Sequence, residues 1–409
     1  MMEARWETSL REWIIKHSML LGMIALSVLG VYLRYACWPI SMGDLKFLNS
    51  AWYEALTNGG IKAVLEPSLQ FNYSPIHLYL WYLFSLLLPN ADAIIVLKVA
   101  SVVFELFLSA TALLLLWRVL PAGKNRKVHF LIGFALMAFN PISILNAAAW
   151  GQTDAIYALF SVLAVLFYLD KKTIWALVML GVSFAFKMQA IFILPMFIVL
   201  YFIGNKRIPL VAFFLVPIIW ILSGVPMLFV GESPFYAVEV YLGQTAIYAV
   251  PTFNCPNIYA LMGDFITERG WMTDLFTKAG MVFTVGIIGT MAVFLISQKK
   301  QLNSCTVLLL SAWFIIACVF FLPRMHERYA FVGELLLLVW VVATKKPYRY
   351  LYYFGTMLAT LSAYAEYFVD VPFFPLQIGG FINLIVFIGL TYEVYKETKT
   401  NPQLAVRDA

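Results

Sequence analysis

Long apolar runs separated by short polar breaks dominate the chain. The runs lie near 14 to 35, 93 to 118, 128 to 147, 153 to 169, 173 to 187, 189 to 204, 209 to 230, 277 to 297, 304 to 322, 327 to 344, 350 to 367 and 377 to 394. Their length and continuity predict membrane-spanning helices. Between them fall short basic loops: Lys124, Arg126 and Lys127; Lys171 and Lys172; Lys206 and Arg207; Lys299 and Lys300; Lys345, Lys346 and Arg349. These occur at every second turn, the pattern expected of cytoplasmic loops. Arg5, Arg11 and Lys16 precede the first run without a small-residue cleavage site, which predicts a retained first span and a cytoplasmic N-terminus. The expectation is an all-α polytopic protein, one transmembrane domain over 1–409, with about twelve spans, both termini cytoplasmic and large outer loops near 36–92 and 231–276.

The first outer loop is the long segment near the front that a bilayer cannot hide. Asp44, after Gly43, is placed to cap a helix from Leu45 to about Leu56. Alternatively, an acid held just above the hydrocarbon could take a proton from a sugar hydroxyl. Further on, Ser74 and Pro75 form an N-cap and first-turn pair that starts a helix running to Leu88. At ~1.5 Å per residue that helix reaches only ~21 Å, short of the ~30 Å of hydrocarbon. Its His77, Tyr79, Trp81, Tyr82 and Ser85 suit the membrane interface. A crossing there would also push the whole basic loop series outside.

Composition narrows the class. Apolar residues make up 62% of the chain and charged residues 12%, against roughly a quarter charged in soluble domains. The net charge of +6 belongs to topology-setting loops and does not indicate nucleic acid. Cys37 and Cys255 are expected outside, so one disulfide is conceivable and a cysteine framework is not. The four histidines are scattered without metal-ligand spacing; neither a metal nor a cofactor is expected.

With this orientation the unusual polar groups gather on one face. They are Asp44, Asn72, Trp150-Gly151-Gln152-Thr153-Asp154, Lys187-Met188-Gln189, the loop around Asn254 and Asn257, and Arg324-Met325-His326-Glu327-Arg328. Ionisable groups at membrane depth are costly and usually line a cavity or pair. Taken singly, each has a plain structural reading. Lys98, Glu105 and Glu334 can tie helices together, Asp154 can cap the helix it opens, and Arg324 and Arg328 can snorkel to headgroups. As a set on one face, they point to a polar site.

The order of these motifs resembles the GT-C superfamily of membrane glycosyltransferases. It is most similar to prokaryotic mannosyltransferases related to the second GPI mannosyltransferase and, more distantly, to the ER glucosyltransferases of lipid-linked oligosaccharide synthesis. The resemblance covers nearly the whole chain. It rests on Asp44, Asn72-Tyr73-Ser74-Pro75, WGQTD at 150 to 154, KMQ at 187 to 189, TFNCPNIYALMG at 252 to 263 and MHERY at 325 to 329. Ser74 stands where a first proline is common in the superfamily.

The resemblance implies a polyprenyl-phosphate sugar donor, a glycan or glycolipid acceptor, and membrane lipids around the active site on the outer face. Asp44 is then the expected general base, with Glu54, Glu66 and Asp154 as competitors. Lys187 and Arg328, with Arg324 and His326, are expected at the donor phosphate. Asn72, Tyr73, Trp150, Gln152, Asp154, Gln189, Asn254, Asn257 and Glu327 are expected to contact substrate. The transferred hexose is expected to be mannose, with glucose as the alternative. Two other classes fit the pattern less well: a glycan polymerase or ligase with a pyrophosphate-linked donor, and a lipid or glycan transporter.

Overall fold

The computed structural model describes residues 5–204, 208–247, 250–265 and 270–400; the basic pair Lys206 and Arg207 lies outside them. The fold is almost entirely helical. Its helices are α1 (Arg5–Ala36), α2 (Ser50–Val64), α3 (Ile76–Leu87), α4 (Ala93–Val119), α5 (Arg126–Ala138), α6 (Pro141–Ile144), α7 (Asp154–Leu169) and α8 (Thr173–Phe186). After these come α9 (Leu194–Ile203), α10 (Leu215–Gly224), α11 (Tyr236–Ile247), α12 (Gly270–Ser297), α13 (Ser304–Phe321), α14 (Phe331–Thr344), α15 (Tyr350–Val369) and α16 (Leu376–Thr400). Two short strands, β1 (Thr252–Phe253) and β2 (Met325–His326), pair in parallel.

Each of the expected apolar runs falls largely on helix, and among the described residues 7 helices are long and apolar enough to cross a membrane. The chain is therefore a polytopic membrane protein. Shorter apolar helices cover Asp154–Leu169, Thr173–Phe186, Met188–Ile203 and Phe331–Thr344. Local signals explain several boundaries. Asp92 accepts from the Ile94 amide and opens α4, while Asn303 accepts from the Thr306 amide and opens α13. Asn140 caps the turn begun by Pro141 and so separates α6 from α5.

The centre of the bundle is α13 packed on α14, with α7 on α8 and α4, and α15 on α16. In α13 and α14 nearly every residue is buried, as a helix apolar all round requires. Large apolar side chains such as Leu114, Phe229, Val285 and Leu351 face outward, as expected of a surface in contact with lipid.

Buried charges tie this bundle together. Arg34 donates from Nε and Nη2 to the two Glu105 oxygens, each at 2.6 Å, and Ser143 donates to the same carboxylate at 2.8 Å. The pair joins α1 to α4 and has the bidentate geometry that offsets desolvation. Lys98 donates to the Trp38 carbonyl at 2.7 Å and to the Ile40 carbonyl, so α4 holds the chain as it leaves α1. Glu334 accepts from Thr360 at 2.6 Å and Thr356 at 3.2 Å, joining α14 to α15. The structural readings of Lys98, Glu105 and Glu334 therefore agree with these contacts.

Other expectations are corrected. Asp44 makes no side-chain cap bond; a π-helical turn at Leu45–Asn49 follows it and α2 continues to Val64. Its carboxylate is instead taken by side chains described below. Asp154 does not cap α7 either, since Thr153 holds that position without a side-chain cap bond. Ser74 does not cap α3 through its hydroxyl; the helix opens after Pro75, and the His77 amide donates to the Ser74 carbonyl at 3.0 Å. Cys37 and Cys255 are not joined by a disulfide.

The 12 residues of α3 reach about 18 Å, and both Asn90 after it and Lys124 are exposed. With the native cysteines replaced, we expect an impermeant thiol reagent outside cells to label Asn90→Cys and to spare Lys124→Cys. Labelling of Lys124→Cys from outside would contradict an α3 that stays on the outer face.

Candidate active site

The site is built where the chain between α6 and α7 meets the segment that follows α1. Residues Leu145–Ala149 form a π-helical turn, closed by the Trp150 amide on the Leu145 carbonyl at 2.9 Å. Such widened turns re-aim the side chains that follow. Here they turn Trp150 and Gln152 onto Asp44. Gly151 makes the approach possible. Its φ is +66°, and a Cβ there would lie 3.1 Å from both Leu45 methyl carbons and 3.4 Å from Lys98 Cγ.

Three side chains hold the Asp44 carboxylate. Trp150 Nε1 donates to Oδ1 at 2.6 Å, the Tyr367 hydroxyl donates to Oδ1 at 2.7 Å, and Gln152 Nε2 donates to Oδ2 at 2.6 Å. Gln152 also accepts from the Tyr73 hydroxyl at 3.4 Å. Burial pushes that hydroxyl up from its ordinary pKa, so it remains a neutral donor. A carboxylate has about four acceptor positions, and Oδ2 uses one of its two here.

A second carboxylate lies on the other side of the same loop. Asp154 is fully buried, and Lys187 Nζ donates to its Oδ1 at 2.6 Å. Asn146 Nδ2 donates to Oδ2 at 2.9 Å, and Arg328 Nε faces Oδ2 at 3.5 Å. Lys187 is therefore paired, contrary to the isolated cation its sequence context suggested. Its ammonium also lies 5.7 Å from the Tyr73 ring centre and 5.9 Å from that of Tyr157. Arg328 donates from Nη1 to Glu327 at 3.2 Å, and its guanidinium sits 4.9 Å from the Trp150 ring centre. That placement corrects the snorkelling reading of Arg328. Burial pushes the Glu327 carboxyl up, with the Arg328 guanidinium opposing it.

The segment around β1 supplies the frame for Arg328. The β1–β2 pair puts Thr252 opposite Met325 and Phe253 opposite His326, and the Arg324 amide donates to the Pro251 carbonyl at 2.7 Å. His326 stacks on Phe253 with ring centres 4.7 Å apart. Burial, Arg328 and Lys187 together push it down to about 2. A neutral His326 can offer a hydrogen bond but not the charge expected of it.

The remaining candidates divide between the site and its supports. Asn254, at φ 49°, donates to the Ala363 carbonyl at 2.8 Å, and Asn257 Oδ1 accepts from the Tyr259 and Ala260 amides. These bonds shape the loop. The Asn72 carbonyl accepts from Gln244 Nε2, tying the segment before α3 to α11. Gln189 lines a small gap with Tyr157 and Tyr329. Glu54 and Glu66 are both exposed; neither takes part in the bonds around Asp44.

Several buried polar atoms without a hydrogen-bond partner lie near Asp154 and Lys187. Among the described residues they include His77 Nε2, Asn146 Oδ1, Thr153 Oγ1 and Tyr157 Oη. Native structures leave few such atoms, and this group has the polarity to receive a hydroxyl-rich ligand.

Three participants escaped sequence reasoning: Asn146, Tyr364 and Tyr367. Tyr364 and Tyr367 lie three residues apart on α15, and the Tyr364 hydroxyl accepts from Asn146 at 3.3 Å. The available signals were a polar Asn inside an apolar run and the aromatic pair near the end of another.

The family model of glycosyltransferase family 87 matches residues 71–323, well over half of the chain. A membrane glycosyltransferase is thus the class that fold and site define. The chain belongs to glycosyltransferase family 87. The matched segment contains Trp150 to Asp154, Lys187 and Asn257, while Asp44, Arg328 and Tyr367 lie outside it. No curated protein matches the chain.

Gly151→Ala tests the closure of the loop on Asp44. Forcing a Cβ into left-handed backbone costs about 1–2 kcal/mol, and here the new atom must also displace Leu45 or Lys98. We expect lower thermal stability in detergent together with a loss of transfer activity. Unchanged stability and turnover would show that the close approach is dispensable.

Proposed function

We propose that this protein transfers a hexose, mannose in preference to glucose, from a polyprenyl-phosphate donor to a glycan or glycolipid hydroxyl on the outer membrane face, with inversion. The reading places the GT-C-like fold in about twelve spans, with both termini in the cytoplasm and the described site outside. One observation carries it. A carboxylate with an acceptor position to spare, Asp44, shares one loop with a buried centre bearing two cations, Lys187 and Arg328.

The chemistry follows from that division. Asp44 Oδ2 takes the proton of the acceptor hydroxyl as its oxygen attacks the anomeric carbon from the side opposite the phosphate. The bond from that carbon to the phosphate oxygen breaks, and the phosphate leaves with the electron pair. Its growing charge is met by Lys187, which spends one of three donors on Asp154, and by the Nη2 amine of Arg328. Preformed donors need no reorganisation when the charge develops. A single phosphate carries less charge than a pyrophosphate, so this pair suffices for it and no metal is invoked. His77, Thr153 and Tyr157 provide hydroxyl-binding atoms beside the cations.

The test is transfer from labelled polyprenyl-phosphate hexoses, with the product glycolipid identified by mass spectrometry. Asp44→Asn keeps the size of the side chain and loses the proton acceptor. Turnover should fall by ~10²- to 10⁴-fold with donor binding retained. Lys187→Met should weaken donor binding, leaving-group stabilisation, or both. Near wild-type turnover by Asp44→Asn beside an inactive, folded Asp154→Asn would assign the base to the wrong carboxylate. Movement of lipid or glycan across liposomes without sugar transfer would favour a transporter.

A further inference from the structure

We infer that Tyr367 is a positioning residue for the reaction, acting on Asp44 from a helix that lies beyond the family-matched segment. This rests on the reading of Asp44 as general base. Tyr367 combines two contacts that fix one carboxylate orientation. Its hydroxyl donates to Asp44 Oδ1 at 2.7 Å, and its ring stacks on Trp150 with centres 4.2 Å apart and an interplanar angle of 25°. Trp150 is itself the other donor to Oδ1, at 2.6 Å. The stacked pair therefore fills Oδ1 with two donors set by a single rigid contact.

That arrangement has a chemical consequence. With Oδ1 occupied by two donors and Oδ2 by Gln152 alone at 2.6 Å, the acceptor position that remains is on Oδ2. Only one carboxylate oxygen is then presented to an incoming hydroxyl, and its direction is set by the ring stack. General-base catalysis requires the base within hydrogen-bond reach and correctly aimed. Without the Tyr367 hydroxyl, Oδ1 regains a lone pair and the carboxylate can rotate about its Cβ–Cγ bond into unproductive poses.

The same face of α15 reaches the cation centre through Tyr364, which accepts from Asn146, itself a donor to Asp154 at 2.9 Å. Both tyrosines also meet the Trp150 ring, Tyr364 edge-on at 5.4 Å. One helical face thus sets the base and, through Asn146, steadies the carboxylate that orders Lys187.

Tyr367→Phe removes one hydroxyl and keeps the stack. Hydrogen bonds to charged groups suggest a fall in kcat of about tenfold or more, with the KM for the polyprenyl-phosphate donor unchanged. Trp150→Phe, which removes the indole donor, should act on kcat in the same direction. The decisive comparison is made in the Asp44→Asn background, where Tyr367→Phe should cause no further loss, because a residue that acts through another is silent once its partner is gone. An unchanged kcat in Tyr367→Phe, beside a slow Asp44→Asn, would overturn the positioning role while leaving the base in place. An equal loss in both backgrounds would also overturn it, since the effect would then be independent of Asp44. Near wild-type turnover by Asp44→Asn would instead remove the base assignment on which the inference stands.

Discussion

Neutralisation of Asp154 is the constraint on which the rest of the site depends. A fully buried carboxylate is tolerated only when paired and hydrogen-bonded. Asp154 meets that demand by drawing Lys187 to 2.6 Å, Arg328 to 3.5 Å and Asn146 to 2.9 Å. These partners come from the ends of α8 and β2 and from the π-helical turn before α7, so satisfying one charge fixes three chain segments. The structure keeps two cations at the mouth of a largely apolar bundle because a buried anion holds them there. An anionic ligand arriving at Lys187 and Arg328 meets donors already in place.

The loop at Trp150 to Asp154 links this local balance to a second carboxylate, Asp44. Its Trp150 and Gln152 face Asp44, and its Asp154 faces the cations. Under the proposed function, proton acceptance and phosphate stabilisation are then separated by a few residues of one turn. Trp150 serves both sides, as its indole donor reaches Asp44 while its ring lies 4.9 Å from the Arg328 guanidinium. Helix α4 completes the arrangement from below, with Lys98 gripping the segment that leads to Asp44.

Much of the helical framework was legible in the sequence, because apolar runs and the polar breaks between them are strong local signals. That Asp44, WGQTD, Lys187 and the HER residues form a set was also legible, and their contacts bring them together. The roles of single residues were less so. A glycine before an acid reads as a helix start, but the Asp44 carboxylate is more favourably occupied by Trp150, Gln152 and Tyr367 than by free backbone amides. Lys187 looked isolated because its partner is 33 residues away. Tyr367 reaches Asp44 across 323 residues, and nothing in a helix-forming stretch marks such a contact.

The charge of His326 was likewise beyond sequence reasoning, since it depends on burial and on two neighbouring cations. Asn254 and Asn257 have loop-shaping bonds that the resemblance alone did not separate from substrate contacts.

In the proposed function Lys187 and Arg328 form a site for one lipid-linked phosphate. Equilibrium binding of a radiolabelled polyprenyl monophosphate to the purified protein in nanodiscs decides this, comparing wild type with Arg328→Gln and using the pyrophosphate form as competitor. Arg328→Gln should weaken monophosphate binding by about tenfold or more, the contribution of a charge-assisted hydrogen bond, and the pyrophosphate form should compete no better than the monophosphate. Equal affinity for wild type and a folded Arg328→Gln, or a strong preference for pyrophosphate, would contradict it.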